Sequence, residues 1–370
     1  MKQMKNQTGS LEMVRHLNQK LVLDVIRRQE PISRAQISKQ LNLSRSTVSQ
    51  IVDWLLDNNM VFEVGVQSSD IKTCGRPGQM LRFNPISSYI VGMELKQDSA
   101  TVCIADMRGK PVSITAYEPV RDAQGVYARL TQALAAAGIE ERRVARLSVS
   151  VPGVVNSEGK VIRASRLKWR NYDLPGQFRT YCDIPICVNN DVNLALIGER
   201  KFGIGCEHEN LVYIHLGTGV GCAILSGGKM VLGSSFTAGE IQFFSFNTGR
   251  KETYTPLEKI IGLNSFERYP GGFSGVVQGY TQGDQACCPI VESFIHTLAT
   301  TIAFIISLLN PSLVIIGGRM SNDMADILED IRDEVEQITP YKAEIQLTRL
   351  KNESCLLGAV AYALDHIDQE

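Results

Sequence analysis

The chain has 370 residues, 44% hydrophobic and 21% charged, which is typical of a soluble globular protein with two or three domains. It has no run of about 18 apolar residues, and its first residues are charged and polar. We therefore expect no membrane span and no signal peptide, and a cytoplasmic protein with no membrane partner. The net charge is −1, but residues 1–84 carry 12 Lys and Arg against 7 Asp and Glu. This basic segment on an acidic body predicts a polyanionic partner for the segment alone.

The nine cysteines are irregularly spaced, and no Cys-x-x-Cys pair occurs. This spacing favours neither a zinc ribbon nor a thioredoxin-like redox motif. We therefore expect reduced thiols, most of them buried.

Three short helices are predicted near the N-terminus. Leu21–Ile26 shows helical spacing, Ser33 with Gln36 has the form of a capping box for a second helix, and Ser44 is a suitable N-cap for a third. The third helix places Val48, Ile51, Val52 and Leu55 inward and a short, polar set outward. This arrangement is typical of a helix-turn-helix whose second helix enters a major groove. The candidate DNA contacts are Arg34, Arg45, Ser46, Thr47, Ser49, Gln50 and, from the loop described next, Arg76.

Two predicted strands, residues 60–64 and 80–83, flank a polar loop that ends in Cys74-Gly75-Arg76-Pro77-Gly78. Such a hairpin is a wing, and Arg76 on its stiff Gly/Pro segment is placed to enter a minor groove or bind a phosphate. The alternative is a generic three-helix domain with a solvated polar face.

Beyond residue 84, strand-type and helix-type segments alternate, which favours an α/β architecture. We predict strands at 89–95, 100–105, 146–151, 186–188, 211–216 and 313–316, and helices at 126–137, 192–202, 297–309 and 356–365. The Gly217–Gly221 loop after a buried strand is compatible with phosphate binding or with tight packing. Asn190 and Asp191 follow another strand, where they suit binding of two vicinal hydroxyls or, alternatively, an Asx turn that caps the next helix.

In order and content these segments resemble the ROK family (repressors, open reading frames and sugar kinases). The resemblance covers almost the whole chain, and its most specific stretch is LVYIHLGTGVGCAILSGGKMVLGSSFTAGEI at 211–241. Further matches are VPGVV at 151–155, VNNDVNLA at 188–195, NPSLVIIGG at 310–318 and CLLGAVAYAL at 355–364. The resemblance implies a two-lobed actin-like ATPase fold with a ligand cleft, in a homodimer or dimer of dimers. We expect a winged helix-turn-helix at 1–84, a first lobe at 85–200 completed by 356–370, and a second lobe at 201–355.

Two departures from the family pattern exclude functions that it would otherwise imply. The kinases' Asp-x-Gly-Gly-Thr phosphate loop corresponds here to the stretch Gly92-Met93-Glu94-Leu95-Lys96-Gln97-Asp98, in which the loop glycines are replaced by bulky side chains. We therefore expect no kinase activity and no bound cofactor, although Asp191 matches the catalytic base. The family's zinc-binding His corresponds to Phe243, and residues 244–260 contain neither Cys nor His. We therefore expect no metal site.

The family's sugar contacts are partly retained. The resemblance assigns ligand binding to Gly153, Asn156, Asn190, Asp191, Glu240, Phe243 and, through a loosely matched loop, Glu258. Carboxylates and a carboxamide suit a polyhydroxylated ligand, and Phe243 adds an apolar wall. The expected function is a sugar-controlled repressor of carbohydrate genes; the alternatives are a sugar kinase with a DNA-binding appendage and a regulator whose cleft binds nothing.

Overall fold

The structure, a computed structural model, describes residues 2–66, 79–247 and 254–367. Contacts divide the chain into two units, Met1–Ser88 and Tyr89–Glu370. The N-terminal unit consists of α1 (Lys2–Gln29), β1 (Ile32–Ser33), α2 (Arg34–Leu41), α3 (Arg45–Asp57), β2 (Val61–Val66) and β3 (Gln79–Phe83). The strands pair antiparallel in the order β1-β3-β2, so the predicted hairpin gains a third strand.

Local capping determines where the helices of this unit begin and end. The Ser33–Gln36 capping box is confirmed, because the Ser33 hydroxyl accepts from the Gln36 backbone N–H while the Gln36 side chain accepts from Ser33. Asn42 ends α2 in the left-handed conformation, which asparagine tolerates. Two residues later Ser44 caps α3 by accepting from the Thr47 N–H at 3.1 Å. The turn between the two helices is therefore short and closed by its own hydrogen bonds.

The second unit begins with a lobe around a five-stranded sheet of order β11-β7-β4-β5-β6. Its elements are β4 (Tyr89–Leu95), β5 (Ala100–Asp106), β6 (Pro111–Tyr117), α4 (Ala123–Ala137), β7 (Val144–Val151), β8 (Val154–Val155), β9 (Val161–Ala164), β10 (Trp169–Tyr172), α5 (Leu174–Phe178), β11 (Ile186–Asn190) and α6 (Asp191–Phe202). The predicted strand 89–95 is confirmed. A small antiparallel sheet, β10-β9-β8, is absent from the sequence prediction, and it buries Val155, Val161, Ala164 and Trp169 in the core of this lobe.

A second five-stranded sheet, of order β14-β13-β12-β17-β18, forms the other lobe. The remaining elements of the second unit are β12 (Leu211–Leu216), β13 (Val220–Ser226), β14 (Lys229–Met230), β15 (Ser245–Asn247), β16 (Tyr254–Pro256), α7 (Glu258–Ile261), α8 (Gly272–Thr281), α9 (Cys288–Leu309), β17 (Leu313–Gly317), α10 (Leu328–Ile338), β18 (Glu344–Leu347) and α11 (Ser354–Asp365). The α/β prediction is confirmed, since helices connect the strands of parallel pairs such as β12 and β17 along the chain.

The last helix, α11, returns to the first sheet, where Leu356 and Val360 pack with residues of β4 and β5. It crosses α6 very closely: a Cβ on Gly358 would lie 1.8 Å from the Leu194 carbonyl oxygen. Glu199, fully buried on α6, accepts hydrogen bonds from Thr348, Ser354 and the Leu350 N–H. These contacts hold α6, and with it Asp191 at its first position, against the rest of the unit.

One described helix, α9, is long and apolar enough to cross a membrane by length and composition. Most of its apolar side chains are buried in one cluster with Val212, Ile214 and Ile316 of the second sheet. This is the pattern of a core helix in a globular lobe.

Candidate functional site

The outward face of α3 carries the predicted DNA-reading residues. Arg45, Ser46 and Gln50 are exposed, and Thr47 and Ser49 are half-buried, while the four predicted inward residues are buried. Neither Arg45 nor Gln50 forms a side-chain hydrogen bond with the part of the chain that the structure describes. The helix therefore presents an unpaired guanidinium and an unpaired carboxamide, the two groups that read guanine and adenine edges.

Two of the predicted DNA contacts, Arg34 and Arg76, do not lie on this exposed face of α3. Arg34 forms ion pairs within the N-terminal unit, where its guanidinium lies 2.6 Å from the Asp53 carboxylate and 3.4 Å from that of Glu63. It joins α2 to α3 and β2 and helps to hold these elements together, while DNA contact by Arg34 stays a prediction. Arg76 lies outside the described residues.

A cavity of about 820 Å³ lies between the two sheets of the second unit, where the ligand cleft is predicted. The first lobe contributes the turn after β7, the β9 region and the start of α6, and the second lobe contributes the glycine loop and the segment around Glu240. The cavity brings together six of the seven predicted ligand residues: Gly153, Asn190, Asp191, Glu240, Phe243 and Glu258.

Asn190 and Asp191 are positioned by the junction of β11 and α6. Asn190 caps the helix through its carboxamide oxygen, which accepts from Val192 and Asn193 N–H groups, and its amide donates to the Gly153 carbonyl. Asn190 therefore caps α6, and its amide also donates to the Asp191 carboxylate at 3.0 Å, which orients that side chain. Ligand binding by Asn190 stays a prediction. Burial raises the pKa of Asp191 to about 7, and the nearby Glu94 carboxylate adds to this effect. Near neutral pH this side chain can therefore donate as well as accept a hydrogen bond.

The other two carboxylates come from the second lobe. Glu240 follows Gly239, whose φ of +87° and close approach to the Cys222 carbonyl exclude any side chain. The Glu240 carboxylate accepts from the Gln242 amide at 2.5 Å. Glu258, at the start of α7, accepts from the Val220 N–H at 3.4 Å, which ties it to the glycine loop. Phe243 is 71% exposed at the edge of the cavity and provides an apolar wall there.

Asn156 is the predicted ligand residue that the cavity does not include. Its carboxamide oxygen accepts from the Glu158 and Lys160 backbone N–H groups, so it closes the turn between β8 and β9. Gly153 on the same loop does line the cavity, where a Cβ would lie 2.3 Å from the Arg163 carbonyl oxygen. Asn156 therefore has a structural role in this turn, and its predicted contact with a ligand stays a prediction.

Sequence reasoning missed several cavity residues. His215 is the penultimate residue of β12, just before the glycine loop. Burial, with Lys96 and Arg166 nearby, lowers its pKa to about 4, so it is neutral at pH 7. A histidine at the carboxyl end of a buried strand was the signal available in the sequence. Arg163 and Arg166 lie on and just after β9, a four-residue strand with no readable periodicity. Among the described residues, no group of three or more His, Cys, Asp or Glu is arranged to hold a metal ion.

Comparison with known proteins assigns the family. The sequence profile of the ROK family matches residues 90–251 and 272–366, most of the second unit. The chain belongs to the ROK family. The profile of the MarR family matches residues 16–61, which include α2 and α3. This ROK protein is therefore a helix-turn-helix, DNA-binding transcriptional regulator.

Its full-length relatives include named repressors. The xylose repressor of Bacillus subtilis (strain 168) is 24% identical over 376 residues, which cover 95% of this chain and 96% of that protein. The DNA-binding transcriptional dual regulator NagC of Escherichia coli (strain K12) is 26% identical over 343 residues, which cover 85% of this chain and 83% of NagC. Among solved structures, a ROK family transcriptional regulator described as a homolog of the E. coli MLC protein superposes with a TM-score of 0.77 at 21% identity, covering 96% of both chains. The similarity to these proteins thus covers both units of the chain.

Proposed function

We propose that this regulator is a cytoplasmic repressor of carbohydrate-utilisation genes whose operator binding is controlled by a sugar or sugar derivative in the cavity. The observation that carries the proposal is the cluster of Asp191, Glu240 and Glu258 around one cavity in a chain that also holds a helix-turn-helix. Carboxylates accept hydrogen bonds from vicinal hydroxyls, and the Phe243 ring can stack on the apolar face of a sugar ring. The names of the xylose repressor and of other full-length relatives support a sugar effector.

We further propose that the ligand acts through the closure of the two lobes in a homodimer or dimer of dimers. A palindromic operator requires two recognition helices about 34–36 Å apart. If closure changes this spacing, both half-site contacts weaken together, which couples the two functions without a direct contact between them.

The sugar-kinase alternative is disfavoured by the turn after β4. Lys96 to Ser99 form a tight turn closed by a backbone hydrogen bond of 2.8 Å, and the Lys96 ammonium pairs with Glu94 at 3.0 Å. No glycine in this turn lets the backbone approach a nucleotide phosphate. We therefore expect no ATP consumption with any hexose or pentose, and measurable turnover would restore the kinase alternative.

The proposed function is tested by a thermal-shift screen against monosaccharides and disaccharides, followed by operator gel shifts with each compound that binds. A ligand that binds only the folded chain raises the melting temperature. We expect at least one sugar both to raise the melting temperature and to change operator affinity. A regulator that binds operator but responds to no sugar would contradict the proposal.

A further inference from the structure

A side-chain hydrogen bond joins the two lobes of the second unit beside the cavity. The Arg166 Nη1 donates to the Thr218 hydroxyl at 2.7 Å, although the two residues are 52 positions apart in sequence. Arg166 lies in the first lobe, in the 3-10 turn Ser165–Leu167 between β9 and β10. Thr218 lies in the second lobe, in the glycine loop between β12 and β13. Because the donor is a guanidinium, this bond is stronger than one between neutral groups.

The turn that carries Arg166 is fixed in the core of the first lobe. The next residue, Leu167, is buried in the hydrophobic cluster of the first sheet, and so is Trp169 at the start of β10. The Trp169 indole N–H also donates to the Arg121 carbonyl at 2.8 Å. Lys168 ends the turn in the left-handed conformation, with φ of +59°. A movement of the Arg166 backbone therefore requires a movement of the first lobe.

The glycine loop is fixed in the same way within the second lobe. The Gly217 N–H donates to the Gly219 carbonyl at 3.0 Å, and the Gly217 carbonyl accepts from the Leu263 N–H at 2.8 Å. The Val220 N–H donates to the Glu258 carboxylate at 3.4 Å. Two N–H groups of the loop are therefore engaged inside the lobe, which leaves fewer donors for a phosphate.

The guanidinium of Arg166 lies near a carboxyl group of each lobe. A Cβ on Gly219 would lie 3.1 Å from Arg166 Nη2 and 3.5 Å from Glu258 Oε2, so this glycine leaves room for both groups. Burial raises the pKa of Asp191 to about 7, and the Arg166 charge acts in the opposite direction, so the guanidinium lies near this group too. Its positive charge therefore attracts Glu258 of the second lobe as well as Asp191 of the first.

We propose that Arg166 and Thr218 form an interlobe latch, which holds the two lobes together before any effector binds. The glycine loop thereby serves as the binding site for a guanidinium of the same chain rather than for a phosphate. A ligand that contacts Glu258 and Asp191 enters the space that these groups share with Arg166, so ligand binding and the latch are coupled. This last consequence rests on the proposed function, whereas the latch itself does not.

Hydrogen–deuterium exchange of the full-length chain, measured by mass spectrometry without any sugar, tests the latch from both lobes. T218V removes the hydroxyl and keeps the branched shape, and T218S is its matched control because serine keeps the hydroxyl. We expect T218V to speed amide exchange about three- to tenfold in first-lobe peptides that cover residues 161–170, since the lost bond makes local opening easier. Exchange there should stay near the wild-type rate in T218S.

The reciprocal variant R166M removes the charge and the donors from the first lobe. It should speed exchange by a similar factor in second-lobe peptides that cover residues 216–224. R170M is the matched control, because Arg170 is exposed on β10 opposite Arg163 and does not line the cavity. In the double variant R166M/T218V we expect exchange no faster than in either single variant, because both substitutions remove the same link.

Exchange that rises only in the lobe that carries the substitution would overturn the proposal, and so would effects that multiply in the double variant. If R166M does not fold, the comparison of T218V with T218S decides, because Thr218 is exposed and its replacement buries no unpaired polar group. No sugar is present in this experiment, so its result is independent of the proposed function. A chain that responds to no sugar would contradict the proposed function only, and a latch that fails would contradict this inference only.

Discussion

The DNA-reading surface lies on one helix of 13 residues, Arg45–Asp57, whereas the cavity is lined by residues between 152 and 258 in sequence. On α3 the polar side chains point outward from a helix that its own cap and its buried face stabilise. In the cavity two of the polar side chains are held by a contact from a distant segment, Asn190 by Gly153 and Glu258 by Val220. A substitution on α3 should therefore change recognition without changing the fold, while the cavity should depend on packing far from it.

The largest effect is expected from Gly358→Ala, which leaves the reading helix untouched. The new methyl group would meet the Leu194 carbonyl at 1.8 Å and push α11 away from α6, which carries Asp191. We expect the free energy of unfolding to fall by about 3 kcal/mol, as overpacking of a tight core does. Urea unfolding of the full chain measures the change. Gly125→Ala is the control in another helix, where the atom nearest to a Cβ is Val120 Cγ1 at 3.2 Å, a side-chain contact that a shift of a few tenths of an ångström relieves. An equal loss in both variants would disprove the argument.

Asp191→Asn tests the cavity directly. Removal of the carboxylate should cost about 1.5–3 kcal/mol of sugar binding, because a hydrogen bond to a charged acceptor is lost. The measurement is operator binding with and without a sugar found in the thermal-shift screen. A wild-type response to the sugar would mean that the cavity is not the effector site. Loss of operator binding in the absence of sugar would mean instead that Asp191 has a structural role.

Arg45→Ala and Gln50→Ala test the reading face. Each should reduce the preference for operator over unrelated DNA by about 1–3 kcal/mol, the usual value of a good base contact. Arg34→Ala is the contrast within the same unit: the loss of its ion pairs with Asp53 and Glu63 should lower thermal stability and leave base preference unchanged. Gel shifts on specific and unrelated duplexes distinguish the two outcomes. Unaltered preference in Arg45→Ala and Gln50→Ala would show that another surface reads the operator.

The smallest effect is a pH dependence from Asp191. The unfolded chain releases this proton near pH 3.8, but the folded chain keeps it to about pH 7. Between these values the folded state binds more protons, so the contribution of Asp191 to the free energy of unfolding falls as the pH rises. The change should be on the order of 1 kcal/mol because the cavity is open to solvent. Asp191→Asn should remove this part of the slope in denaturant titrations, and an unchanged slope would argue against the raised pKa.

Most local features could be predicted from the sequence. The capping box at Ser33, the N-cap at Ser44 and the strands at 89–95 and 211–216 depend on neighbouring residues, and all are confirmed. Boundaries were less accurate: α9 begins at Cys288, nine residues before the predicted start, because its first turns are less uniformly apolar.

One wall of the cavity could not be predicted from the sequence. The strands β8, β9 and β10 have two to four residues each, too few for a periodic pattern, so the wall that carries Arg163 and Arg166 could not be seen. Arg34 and Asn156 had the right residue types for binding, but nothing in the sequence indicates that Arg34 lies beside Asp53 and Glu63.

The sequence by itself determined the elements, the helix-turn-helix and the family, because these follow from hydrophobic periodicity, capping and ordered motifs along the chain. Only the tertiary structure decided which polar side chains are free. It engages Arg34 and Asn156 in contacts within the fold and keeps Arg45 and Gln50 exposed. Among the described residues it leaves Arg163 and Arg166 without an ion pair in a cavity that three carboxylates also line. The physical reason is that a charged group's partners are set by contacts between distant segments, whereas its tendency to form a helix or a strand is set by its neighbours.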